Sequence, residues 1–578
     1  MTFAGDDWEW VERPRRGPEP ERMAGALRIH PVTAEVMATR DLGSPEAAES
    51  YWQPRLRSLV DPRQMADMEK AAGRIVRAIE AGEPIVVWGD YDVDGSTSVS
   101  LLLRFFRLLK ARASFHIPLR LRDGYGLNAG GLAKLAQDGA RVVITVDNGI
   151  SARAEALEAR RLGLDLIITD HHECPAELPS AFAVVNPRRS DCPYPDKRLA
   201  GVGVAYKLCH AVALMMPQGR VPSDIKDWLL RSLQLVALGT IADMVPLVGE
   251  NRVLALHGLA QLSSSPFEGL KALLAVAKAG PEVSSTDISF KLAPRINAAG
   301  RLSTADTGVR LMTTEDPLEA RELSLKLDRA NTERREIEKE QAREAMAQLD
   351  TLIAEGDRLV AASSPGWHPG VIGIVAQRLV EKYHLPAVVV AVGDGTAKGS
   401  CRSIEGFHIQ SALTEVSDLL SSFGGHAMAA GFSLKPANLP LFFEKLKEVA
   451  CRRLPDQPRR RVSIDAWLGS LSEVGAPLMN ELARLAPFGS GNPVPQLAAR
   501  SATMTEVRPL GRDGHHLSMS LASAPNAFRA VAFQAGHLYE TLKPGGRYDV
   551  VFSPRWNDWS GDPRIELDIK ALRRAPAA

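Results

Sequence analysis

Cysteine is scarce. Five cysteines are scattered through 578 residues, an odd number with no recurring spacing, which excludes a disulfide framework. Long apolar runs are missing as well: stretches such as residues 387–392 are strand-sized, far below the roughly 18 residues of a membrane span. Nor does charge of one sign dominate. With 70 basic and 69 acidic residues the chain is no histone-like polycation, although this balance permits a local basic groove. Glycine and proline, 46 and 38 residues, fall short of a low-complexity composition. The first residues carry acid where a secretory leader needs base and an apolar core. These absences lead us to expect a reduced, cytoplasmic, multidomain protein, and length alone suggests about four domains.

What is present is a regular alternation. Residues 65–81 have helical periodicity, 84–88 (PIVVW) form a short apolar strand, and 98–110 and 113–119 repeat the pair. Residues 130–138, 141–146, 152–162 and 165–169 continue as helix, strand, helix, strand. Strands separated by helices of this length predict βαβ units and a parallel sheet, with ligands outside the carboxyl ends of the strands. Residues 197–315 are mainly helical, and 316–355 form one long helix whose mixed charges suit a solvated connector. A second, smaller α/β pattern occupies 356–455. From 456 onward short strands (461–467, 501–507, 548–552, 565–569) predict a small barrel. The expected divisions are thus a flank at 1–45, an α/β domain at 46–315, the connecting helix, the smaller α/β domain, and the barrel at 456–578.

Each of the polar clusters of the first domain follows an apolar strand. Asp90, Asp92 and Asp94 come after 84–88, Asp147 after 141–146, Asp170-His171-His172 after 165–169, and Asp243 after 235–242 (LVALGTIA). Parallel strands would bring these carboxylates and histidines to one edge. So many like charges repel unless a cation neutralises them, and oxygen donors with an imidazole suit Mn²⁺ or Mg²⁺. Two such ions sharing a carboxylate form a clamp for in-line attack on phosphorus. The run from Asp90 opens like a calcium EF-hand loop, but it follows a strand and its twelfth position is Leu101 where a glutamate is needed. A zinc site from His171, His172, Cys174 and Cys192 matches no standard spacing. Helix capping explains single residues, with Asp94 or Ser96 the expected cap of the following helix, but not four clusters.

These motifs resemble the DHH phosphoesterase superfamily, and within it the RecJ-type exonucleases. The resemblance rests on GDYDVDG from Gly89, VDNG from Val146, TDHHE from Thr169, GTIADMVPL from Gly239 and PRINAAGRL from Pro294. It extends through GWHPGVIGIVAQRL from Gly366, KGSCRS from Lys398, GGHAMAAGF from Gly424 and PFGSGNPVP from Pro487. The implied architecture is a parallel-sheet DHH domain, a connecting helix, a DHH-associated (DHHA1) domain and an OB-fold barrel. The resemblance implies two Mn²⁺ or Mg²⁺ ions, with Asp92 and Asp147 on one and Asp94, Asp147, His171 and Asp243 on the other. Asp90 would be a ligand or a partner of one, and His172 would face the scissile phosphate. Trp88 stands where the pyrophosphatase branch has a histidine, which favours the nuclease branch. Arg120, Ser400 and Arg402 map to a pocket for a 5′-phosphate, with Arg295 and Asn297 as further strand contacts. His426 and the barrel's His515, His516, Phe533 and Trp559 receive no assigned role. The implied activity is single-strand-specific 5′→3′ exonucleolysis in DNA repair and recombination. Single-stranded DNA, a single-strand-binding protein and a helicase are the implied partners of an implied monomer with no membrane contact. Competing readings are a small-substrate DHH phosphoesterase, which needs no barrel, and an inactive scaffold, which would have lost ligands that are all present here.

Overall fold

The computed structural model describes residues 8–576 apart from 43, 119–125, 217–221, 303–304, 355, 455–457, 524–525 and 558–560. The chain divides into two compact units, one of residues 41–332 and 485–494, the other of 1–40, 333–484 and 495–578. None of the helices of the described residues is long and apolar enough to cross a membrane.

The first unit is built on a five-stranded, wholly parallel sheet. In spatial order its strands are Ala113–His116, Ile85–Trp88, Val142–Val146, Asp165–Thr169 and Ala183–Val185. Three of them are buried along nearly their whole length because helices cover both faces. Helices Met68–Ala81, Val93–Leu108, Gly201–Met215 and Ser223–Ala242 share the larger core. Helices Ala129–Gln137 and Arg153–Arg161 close the opposite face around Trp88. Trp88 is fully buried there, and Gly131 has no room for a side chain: a Cβ would come within 2.3 Å of the indole. The position that distinguishes the pyrophosphatase branch therefore points into a core.

From Ile85–Trp88 the chain crosses to one side and then returns to the other. This leaves a switch point between strands 85–88 and 142–146, where open α/β sheets bind their ligands. The register pairs Trp88 with Thr145 and Val146 with Thr169, so the loops after three strands begin side by side.

One expected element differs. Residues 235–242 are not a strand but the last turns of the 20-residue helix Ser223–Ala242, and Asp243 is its C-cap. The apolar run is continuous because nearly every residue of those turns is buried, and a fully buried helix segment has no polar face to betray its period. The helix after strand Ile85–Trp88 also begins earlier than expected, at Val93, with Asp92 rather than Asp94 or Ser96 accepting the capping bond from the Gly95 amide (3.0 Å).

In the other unit, strands Ser422–Gly425, Ala429–Leu434, Ala397–Arg402, Ala387–Val392 and Val360–Ser364 form a mixed sheet in that order. Strands Leu497–Leu510, His516–Ser523, Asn526–Ala532, Arg564–Arg574 and Arg547–Asn557 close into a five-stranded barrel, the last pairing back onto the first. The expected single strand at 461–467 is two. Arg461–Ile464 pairs with Glu9–Glu12, whereas Ala466–Leu468 joins the barrel, with Asp465 between them gripping Arg40 (3.0 Å) and Thr39 (2.9 Å). Helix Pro317–Leu352 is less solvated than its charges suggest: Ser324, Leu327, Asn331, Arg334, Glu338, Gln341 and Ala345 make a buried stripe. Glu338 is satisfied there by Arg334 and by Arg378 (2.5 Å).

Candidate active site

The site grows from the ends of strands. Asp90 and Asp92 leave the 85–88 strand, and Asp147 leaves the neighbouring strand in the left-handed conformation (φ 61°). Asp170, His171 and His172 leave the next. Asp94 lies in the first turn of helix Val93–Leu108 and is fully buried, its two oxygens accepting the Gly201 and Val202 amides at 2.7 and 2.8 Å. These are the first amides of helix Gly201–Met215, a helix N-terminus turned on a carboxylate. The approach requires glycine. A Cβ on Gly201 would lie 2.9 Å from Asp94 Oδ2 and from Asp147 Cβ, and one on Gly239 would lie 3.0 Å from Asp94 Oδ1.

His171 Nε2 is 3.0 Å from Asp147 Oδ1, 3.7 Å from Asp243 Oδ2 and 3.8 Å from Asp94 Oδ2. The donor atoms of Asp94, His171 and Asp243 form one tight group, those of Asp90, Asp92 and Asp147 a second, and those of Asp147, His171 and His172 a third, each within 4.8 Å. Asp147 thus belongs to two groups. His172 is held differently: its Nδ1 bonds Asp170 Oδ1 at 2.7 Å, while Asp170 also accepts the Ile150, His171 and His172 amides. Asp170 is a support that the sequence reading named without giving it a role.

Electrostatics make the cluster costly without a cation. Burial, with the charge of Asp92, pushes Asp94 up to about 7. Burial, with Asp94 and Asp92, pushes Asp243 up to about 9, and Asp147 is raised by burial and by four neighbouring carboxylates. His171 is held down to about 4 by burial and by His172, so its imidazole is neutral and a competent ligand. For His172 burial works downward, but the Asp170 bond and the surrounding carboxylates raise it overall. Buried carboxylates facing one neutral imidazole fit hard divalent cations such as Mn²⁺ or Mg²⁺. Among the described residues no cysteine enters any of these groups, which disposes of the zinc alternative.

A cleft of about 300 Å³ opens over the cluster, lined by Asp90, Tyr91, Asp92, Asp147, His172, Asp243, Asn297 and Arg301. Asn297 is thereby brought to the site. Arg295 is not: its Nε pairs with Asp328 (2.9 Å) and its Nη1 bonds the Lys291 carbonyl (2.6 Å), the contacts of a strut within the helical layer. Tyr91 and Arg301 were missed. The signal was present, since Arg301 stands four residues after Asn297 and shares its helix face.

Ser400 and Arg402 lie together at the end of strand Ala397–Arg402 in the other unit, with Arg402 Nη1 3.2 Å from Ser400 Oγ. The start of helix Ile372–Tyr383 adjoins them: a Cβ on Gly373 would meet Ser400 Oγ at 3.0 Å and Arg402 Nη2 at 3.1 Å. A hydroxyl, a guanidinium and a helix N-terminus together suit an anion. Arg120 and Trp559 lie outside the described residues.

Comparison with known proteins identifies three modules along the chain. Family models match at residues 84–240 (DHH family, N-terminal domain), 356–451 (DHHA1 domain) and 464–571 (RecJ OB domain). The chain is 37% identical over 566 residues to the single-stranded-DNA-specific exonuclease RecJ of Bacillus subtilis, covering 97% of this chain and 70% of that one. It is 37% identical over 487 residues to RecJ of Escherichia coli, covering 81% and 83%. The crystal structure of RecJ in complex with Mn²⁺ from Thermus thermophilus superposes with a TM-score of 0.84 at 30% identity, covering 99% of this chain and 81% of that one. Its Mg²⁺ complex gives 0.78 at 29% identity. With that identity sustained over nearly the whole chain, and all three modules in order, the chain belongs to the RecJ family.

Proposed function

We propose that the chain is a single-stranded-DNA-specific exonuclease that uses two Mn²⁺ or Mg²⁺ ions, proceeds 5′→3′ and releases 5′-mononucleotides. The observation that carries this reading is the convergence of Asp90, Asp92, Asp94, Asp147, His171 and Asp243 at the switch point. Bound there, divalent cations supply Lewis-acid activation of water and neutralise phosphate charge. Asp92, Asp147 and Asp90 would hold one ion, and Asp94, His171, Asp243 and the shared Asp147 the other.

The chain's own groups do the rest. Asp170 fixes Nδ1 of His172, which makes Nε2 the proton-exchanging atom and suits it to protonate the leaving 3′-oxygen. Arg301 and Asn297 on the wall of the cleft can hold the scissile phosphate and its strand. Ser400 and Arg402 supply a receptor for the terminal 5′-phosphate. Each cleavage leaves a new 5′-phosphate, so the next cycle presents the same end group. In this reading the protein works in repair and recombination in the cytoplasm, as a monomer, beside a helicase and a single-strand-binding protein.

The test is a 5′-labelled single strand offered beside a duplex and a dinucleotide, with Mn²⁺, Mg²⁺ or chelator. Labelled mononucleotide from the single strand alone, and only with metal, is the expected result. Equal turnover of the dinucleotide would favour a small-substrate phosphoesterase.

A further inference from the structure

Residues 485–494 are distant from the acid cluster in sequence and flanked by parts of the other unit, yet they pack within the unit that holds it. Their turn is closed by Asn492, fully buried, whose Nδ2 donates to the Leu485 and Pro487 carbonyls at 2.8 and 2.9 Å. Its Oδ1 accepts from the Tyr51 hydroxyl at 2.7 Å. Arg252, stacked 4.2 Å from the Tyr51 ring, donates to the Ala486 carbonyl, and Ser285 Oγ donates to that of Phe488 at 2.6 Å.

What this turn touches is the loop that carries Asp243. The Leu247 amide donates to the Ser490 carbonyl at 2.8 Å. A Cβ on Gly491, itself left-handed (φ 67°), would lie 2.7 Å from Pro246 Cβ, and one on Gly489 would lie 2.8 Å from Leu247 Cδ1. Asn251 extends the contact, donating to the Pro246 and Arg198 carbonyls at 3.1 and 2.6 Å and accepting the Ala200 amide at 3.3 Å. Ala200 immediately precedes the helix whose amides hold Asp94.

Asp243 needs such support more than its partners do. Asp94 is gripped by two amides, whereas among the described residues none donates a hydrogen bond to the Asp243 carboxylate. Its position is therefore set by its backbone, a helix C-cap followed by left-handed Met244 (φ 63°) and the turn to Leu247.

We propose that the Gly489–Asn492 turn is a positioning element of the metal centre, holding the 244–247 loop so that Asp243 stays in reach of Asp94 and His171. The inference rests on the metal reading above. It concerns ion affinity rather than strand binding.

The test uses the full chain with Gly491→Ala, Tyr51→Phe and Asp243→Asn. Mn²⁺ binding is followed by the electron paramagnetic resonance signal of the free ion, and folding by the circular-dichroism melt of the metal-free protein. Gly491→Ala should weaken Mn²⁺ binding by about tenfold, the effect expected for a group that orients a ligand. Tyr51→Phe should weaken it less. Activity should fall at limiting Mn²⁺ and recover at saturating Mn²⁺, with KM for the strand unchanged. Adding Pro246→Gly to Gly491→Ala removes the Cβ it meets and should restore part of the affinity. If Gly491→Ala does not fold, Tyr51→Phe, which deletes one hydroxyl, carries the test. Weakened binding in Asp243→Asn with wild-type affinity in the folded turn variants overturns the positioning role alone. Wild-type affinity in Asp243→Asn as well overturns the metal reading and this inference with it.

Discussion

The acid cluster and the Ser400–Arg402 strand end are both polar, but they are stabilised in opposite ways. In the cluster, five aspartates and a histidine are packed where burial and mutual repulsion raise Asp94, Asp147 and Asp243 well above ordinary carboxylates. Part of the compensation comes from backbone amides, most clearly those of Gly201 and Val202 on Asp94. At the strand end a guanidinium, still partly exposed, is met by the Ser400 hydroxyl and by the Cys401 carbonyl at 2.8 Å. The first region is incomplete without a cation; the second is a stable surface that can also take an anion. A site that stores repulsion must be braced by the fold, whereas one that stores none can sit on a strand edge.

Removing Asp147 should break the first region most completely. Asp147→Ala loses the carboxylate common to two donor groups, so hydrolysis should fall to background while the metal-free chain stays folded, relieved of one buried charge. Turnover near wild type in the purified variant would remove Asp147 from the centre of the site. His172→Ala should lower kcat by about a hundred- to ten-thousandfold, the range of general acid–base catalysis. Asp170→Asn should follow in the same direction because it releases the imidazole's orientation. A pH–rate profile unchanged in both variants would exclude the proton-transfer role.

The second region should respond to one substrate feature only. A charge-assisted hydrogen bond is worth about 1.5–3 kcal/mol, so Arg402→Ala should cost about ten- to a hundredfold in kcat/KM on a 5′-phosphorylated strand. A 5′-hydroxyl strand should be little affected, and Arg402→Lys should recover part of the loss because an ammonium lacks the fork. Equal losses on both strands would mean that Arg402 meets an internal phosphate or only supports the sheet.

The smallest expected effect is thermodynamic. Asp94 and Asp243, raised to about 7 and about 9, keep protons in the folded metal-free chain that the unfolded chain releases above about pH 4. Stability without metal should therefore fall as pH rises through that interval. His171, held down to about 4, acts in the opposite sense below about pH 6.5, so the clean window is roughly pH 6.5 to 9. Melting midpoints of the metal-free protein should decline across it by a few degrees, and saturating Mn²⁺ should flatten the decline. A pH-independent midpoint without metal would show that the cluster does not store the repulsion described.

These comparisons also mark what could be read early. The strands 85–88, 142–146 and 165–169 were legible because β-branched residues in short apolar runs between amphipathic helices have few other solutions. Asp90, Asp92, Asp147, His171 and His172 were legible with them, since a residue just past a parallel strand can only sit at the sheet's carboxyl edge. Asp243 was found for a partly wrong reason: its apolar approach is a buried helix, and nothing in LVALGTIA separates the two. Arg295 was over-read because its motif carries several polar residues, and only the structure shows that it turns to Asp328 while Asn297 and Arg301 face the cleft.

What the sequence determined by itself is therefore the local order: which segments are strands, which residues end them, and that those residues are acids and histidines too numerous to be caps. The tertiary structure alone decided three things. It brought the amides of Gly201 and Val202 to Asp94 across 107 and 108 residues, set Ser490 against Leu247, and placed Gly373 beside Arg402. The reason is physical. Periodicity and strand-end placement are short-range properties of a chain. The close approach of two backbones, made possible where a glycine leaves no Cβ in the way, depends on packing that no local pattern records.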